Sequence, residues 1–90
     1  MKPRITLNRN SSGELEIWIN PSGRDLLVKE LKSLSASSDH FHLGAEDYES
    51  EVPLQVVPYR DGDVIIESAK VMFRLDEWDD EYFPHVMRYS

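Results

Sequence analysis

The chain predicts a small α+β domain of two layers, with one helix packed on a mostly antiparallel sheet in the order β-β-α-β-β-β. Three observations carry this. Several short segments alternate apolar and polar residues with a period of two, and one stretch between residues 22 and 34 switches to helical spacing. Ninety residues, 40% of them hydrophobic, are enough for a single core and too few for a second, so residues 1–90 form a single domain.

The elements follow in order. Ile5 and Leu7 alternate with Arg4, Thr6 and Asn8, and Leu15, Ile17 and Ile19 alternate with Glu14, Glu16, Trp18 and Asn20, so both stretches read as half-buried strands. The loop Arg9-Asn10-Ser11-Ser12-Gly13 is short enough to make them an antiparallel hairpin. Asn20-Pro21-Ser22-Gly23 then opens a helix: Asn or Ser can cap it, Pro suits the first turn, and Asp25 follows Ser22 by three as in a capping box. Leu27, Val28, Leu31 and Leu34 form its core stripe, and Ser35 to Ser38 end the pattern.

His40-Phe41-His42-Leu43 reads as a third strand, with Phe41 and Leu43 toward the helix and both histidines on the other face. Gly44 to Pro53 is an acidic loop, longer than usual connections and read as mobile. A short strand is expected at Leu54-Gln55-Val56-Val57, then a turn through Asp61-Gly62. From Val64 to Leu75, alternation of Ala69, Val71, Phe73 and Leu75 favours a strand; the run Val64-Ile65-Ile66 and the break at Glu67-Ser68 suggest a bulge or bend, with a short helix as the alternative. The remainder shows no sustained period, and Pro84 interrupts any helix begun by Glu77 to Phe83.

The net charge of −7 is unevenly spread, +2 over residues 1–38 and −9 over residues 39–90. Such a surface repels nucleic acid and anionic membranes, whose binding draws on Lys and Arg, and favours a basic protein partner. No cysteine is present, which excludes a disulfide scaffold, a thiolate zinc site and a cysteine nucleophile. The opening residues are too short and polar for a signal peptide and no apolar run approaches a membrane span, so the expected location is cytoplasmic.

The densest signal is Asp76-Glu77-Trp78-Asp79-Asp80-Glu81-Tyr82-Phe83, five carboxylates and three aromatic rings in eight residues. Aromatic rings supply rigid contact area and clustered acids steer toward a basic surface, so this segment reads as a protein interface. Trp18 joins the partner-binding candidates. The open sheet face would carry it beside His40 and His42, either exposed for binding or covered by the C-terminal segment folding back.

The alternative chemistry is a metal site. His40 and His42, two apart on a strand, can share an ion, with His85 or an acid of the Glu46-Asp47-Tyr48-Glu49 loop completing the shell. Seventeen acids make close carboxylate pairs unavoidable, so no acid–base pair stands out, and there is no phosphate-binding glycine loop, nucleophile elbow or His-Glu-x-x-His helix. The chain is read as a non-enzyme that needs no cofactor, with a non-catalytic subunit of a larger assembly as a further possibility. Its oligomeric state is read as monomer or weak homodimer, through a short flat edge strand.

Glu14-Leu15-Glu16-Ile17-Trp18-Ile19-Asn20, an amphipathic helix and then Asp39-His40-Phe41-His42-Leu43 together resemble the immunity protein 32 family, small α+β proteins associated with bacterial polymorphic toxin systems. The resemblance covers roughly residues 14–75. It implies a bacterial cytoplasmic antidote that binds and blocks a cognate toxin domain, and a basic nuclease would suit the acidic second half.

Overall fold

The structure is a computed structural model that describes residues 2–45 and 49–88. Its architecture is α+β: strands β1 (Ile5–Arg9) and β2 (Leu15–Ile19), helix α1 (Pro21–Lys32), strands β3 (His40–Ala45), β4 (Val52–Leu54), β5 (Val64–Ile65) and β6 (Ser68–Met72), then helices α2 (Asp76–Tyr82) and α3 (Pro84–Met87). The strands form two sheets of three, in the orders β2-β1-β5 and β4-β3-β6.

The hairpin follows from its loop. Asn10 Oδ1 accepts from the Ser12 amide at 3.0 Å and the Glu14 amide at 2.9 Å, and Gly13 takes a φ of +87° that the turn requires. β1 and β2 then pair antiparallel with Ile5 opposite Ile19 and Leu7 opposite Ile17. The segment after the Asp61-Gly62 turn bends as its sequence suggests: β5 belongs to the first sheet, Ile66 and Glu67 turn the chain, and β6 enters the second. The sheets join along this bend and along β1, through Ile66 N–H to Leu7 O at 2.9 Å, Ala45 N–H to Glu67 O at 2.9 Å, and Gln55 N–H to Ile5 O at 2.7 Å.

The core sits where the sheets meet. Ile5, Leu7, Phe41, Leu43, Val52 and Leu54 are buried, and Leu26, Leu27 and Leu34 of the helical region pack on them with Ile66, Ala69 and Val71. Asn20, not Ser22, caps α1: its Oδ1 accepts from the Gly23 amide at 2.7 Å and also from the Arg4 amide at 2.9 Å, while its Nδ2 donates to the Lys2 carbonyl at 3.0 Å. Gly23 lies so close beneath that an added Cβ would stand 2.7 Å from the Arg4 carbonyl and 2.9 Å from the Ile5 side chain.

Several details differ from the sequence reading. The fourth strand lies at Val52–Leu54 instead of residues 54–57, and it runs parallel to β3. Pro53 is tolerated there because β4 borders β3 on one side only, so the missing N–H costs no ladder bond. Leu15, Ile17 and Ile19 share a face with Ile5 and Leu7 but remain 58%, 59% and 44% exposed; β2 is the outermost strand of its sheet. Val28 and Leu31 of the expected helical stripe are likewise exposed. Residues 76–87 form two short helices, and Pro84 opens the second at its first turn as well as ending the first.

Replacing Asn20 with Ala is expected to lower stability by about 2 kcal/mol, since a buried cap and two part-buried tethers are lost together. Gly23→Ala should cost a comparable amount, about 1–3 kcal/mol, through overpacking. Urea denaturation of both variants, read as the shift in midpoint, checks this.

Candidate functional site

The acidic aromatic segment forms α2, and its residues divide by helical position. Asp76, Glu77, Asp80 and Glu81 are exposed and share one side through i, i+4 spacing. Asp79, Trp78 and the following Phe83 turn toward Arg74. Its guanidinium donates from Nε to Asp79 Oδ1 at 2.8 Å and lies 5.1 Å over the Phe83 ring and 5.3 Å over the Trp78 ring. Arg74 thereby moors α2 to the end of β6, a role that the sequence reading did not assign; an arginine two residues before an acidic helix was the available signal. Tyr82 is 67% exposed, and Phe83 and Val86 remain partly so. α2 and α3 pack chiefly on each other, so the C-terminal segment projects and does not cover a sheet face. The radius of gyration, 15.3 Å, exceeds the roughly 12 Å of a compact chain of this length.

The charge on α2 is not arranged for the helix itself. Asp76, Glu77 and Asp79 favour the first turn, where they meet the positive end of the macrodipole. Asp80 and Glu81 sit toward the negative end, with no basic residue in the last turn, and repel Asp76 and Glu77 four residues earlier.

The two histidines lie where β3 was expected to place them, side by side on an exposed face with ring centroids 5.1 Å apart. Each has a carboxylate: Asp39 Oδ1 at 2.9 Å from His40 Nδ1, and Glu51 Oε1 at 3.6 Å from His42 Nδ1. The bond from the His40 ring holds the Asp39 carboxyl below its ordinary pKa. The His42 amide, donating at 2.7 Å, does the same for Glu51. Among the described residues no group of three or more His, Asp or Glu converges in a way that could hold a metal ion. His85 lies on α3, edge-on to Phe83 with centroids 6.2 Å apart. Glu46, Asp47 and Tyr48 lie outside the described residues.

Trp18 lies in the other sheet from the histidines, packed within the chain. Its ring stacks on Tyr59 at 4.3 Å, and Arg60 lies 5.1 Å over it while pairing with Glu16 and with Asp63. Burial works to raise the Glu16 carboxyl, but bonds from Asn8, Asn10 and Arg60 prevail and its pKa is lowered. The turn expected through Asp61-Gly62 also carries Tyr59 and Arg60 onto Trp18 and Glu16, a role its sequence does not announce; Glu16 and Trp18, two apart on one strand face, are the available signal. A separate open groove of about 630 Å³ runs between residues 2–4 and 53–57, with Leu54, Val56 and Val57 in its walls and Lys2 and Arg4 beside them.

Compared with protein-family models, curated proteins and solved structures, the chain matches none. No helix among the described residues is long and apolar enough to cross a membrane.

Arg74→Ala should release α2 and α3 while leaving the core intact. Hydrogen exchange is expected to quicken over residues 76–87 and stay unchanged in β1 and β3. Because the Asp39 and Glu51 carboxyls are depressed in the folded state, their stabilisation is present above the ordinary carboxylate range and is lost as pH falls below it. Glu51→Gln, which keeps an acceptor for the His42 amide, should narrow the difference in urea midpoint between pH 7 and pH 3.

Proposed function

We propose that the protein is a non-catalytic binding module whose partner is a basic protein domain. The observation that carries this is the projecting α2–α3 arm, which presents Asp76, Glu77, Asp80 and Glu81 beside exposed Tyr82, Phe83 and Val86. Repulsion among the acids, and the two placed against the macrodipole, weaken the free helix; a cationic surface would relieve both. Acids steer the encounter, and Tyr82 and Phe83 supply the apolar anchors that a charged rim lacks. Trp78 and Asp79 take part indirectly, by holding the arm on Arg74.

The specific form is the one implied by the resemblance of residues 14–75 to the immunity protein 32 family: a cytoplasmic antidote that occludes the active surface of a toxin domain. A basic nuclease fits best, since the acids would occupy the track that otherwise receives phosphates.

Replacing the exposed Asp76, Glu77, Asp80 and Glu81 with their amides, and leaving Asp79 to hold Arg74, is expected to slow association with a basic partner captured from the source lysate by about 10–100-fold at low salt, and to flatten the salt dependence. Stopped-flow kinetics at two salt concentrations read both. Unchanged rates in a folded variant would remove the arm from the interface.

A further inference from the structure

We propose that the free edge of β2 pairs with β2 of a second copy, joining two β2-β1-β5 sheets across a two-fold axis at Ile17. The direction of the main chain supports this. Asn20 N–H donates to Arg4 O at 3.1 Å and Asn10 N–H to Glu14 O at 2.9 Å, so both ends of the hairpin are hydrogen-bonded pairs. By alternation, Thr6 with Trp18 and Asn8 with Glu16 are also such pairs. The N–H and C=O groups of Leu15, Ile17 and Ile19 therefore point away from β1 into the open edge, and these are the residues whose apolar side chains are left 58%, 59% and 44% exposed.

The segment is self-complementary. With the axis at Ile17, Ile17 faces Ile17 and Leu15 faces Ile19 of the other copy, each pairing in the register that forms two main-chain hydrogen bonds. The apolar stripes become continuous on one face. On the other, Glu14 meets Asn20 and Glu16 meets Trp18, so no like charges stand directly opposite in a chain of net charge −7. Glu16 approaches its own copy only diagonally, and it is already paired with Arg60 and bonded to Asn8. None of the usual guards of an edge strand, Lys, Pro or a glycine bulge, occurs within Leu15–Ile19. The partner read from this edge is thus a second copy, independent of whatever the acidic arm binds.

The test uses the full chain at about 10–100 µM. Sedimentation equilibrium should give twice the 10.5 kDa chain mass, and Ile17→Lys, which sets two cations against each other, should return it to one. Because the chain has no cysteine, register is read by oxidative cross-linking. Ile17→Cys places two sulfurs across a pair with Cα atoms about 5.5 Å apart, within disulfide reach. Leu15→Cys places them about 13 Å apart along the strand, out of reach. A cross-linked dimer with the first and not with the second supports the pairing, and this arm stands even where Ile17→Lys fails to fold. A monomer throughout the range, equal cross-linking at both positions, or a folded Ile17→Lys variant that stays dimeric would overturn it.

Discussion

The fold depends on the side chain of Asn20. One amide serves the Gly23 N–H at the start of α1, the Arg4 N–H ahead of β1 and the Lys2 carbonyl, so the position of the helix and the course of the N-terminal strand are set by the same group. Gly23 makes that junction tight, because only a residue without a Cβ lets the helix approach Arg4 and Ile5 so closely. With the helix entry fixed, Leu26 and Leu27 pack against the core cluster that includes Ile5 and Leu7. A buried side-chain amide satisfied on both its oxygen and its nitrogen costs little to bury, yet each bond is expensive to remove.

A core of this size leaves apolar surface over. The six clustered core side chains, all from β1, β3 and β4, take up the available cover, and the apolar face of β2 stays exposed. Small domains bury a limited share of their surface, so exposed residues are ordinary one at a time. Leu15, Ile17 and Ile19 are different in kind: they are consecutive on one face of an outermost strand, with free backbone groups between them.

The sequence made legible what local chemistry decides. Asn20-Pro21 announced the helix start, the Asp61-Gly62 step the turn, and the break at Glu67-Ser68 the bend between β5 and β6. Phe41 and Leu43 faced inward and His40 and His42 outward, as period two requires. Nothing local could show that β4 lies parallel to β3, because that pairing is settled by where the chain returns after residues 46–51. Nor does alternation in β2 reveal whether its apolar face is covered; periodicity defines a face and tertiary packing decides its neighbour. The acidic segment was legible as composition, but its division between an exposed acidic side and a side moored on Arg74 needed helical geometry, and Pro84 had argued against a helix there.

The two outward-looking features occupy opposite electrical ends of the chain, and this bears on whether they can operate together. The edge of β2 lies in the half with net charge +2, the arm in the half with net charge −9. Charges further apart than about 8–10 Å are largely screened at physiological salt, so acids close to the joined edge weigh most against pairing, and there Glu16 is already paired with Arg60. A dimer built this way carries two arms. Against a partner that displays two basic patches, or that is itself paired, the second contact becomes intramolecular and strengthens binding without any new residue. Against a single small partner it adds nothing to intrinsic affinity, and the edge then serves mainly to keep an apolar strand from pairing with something else.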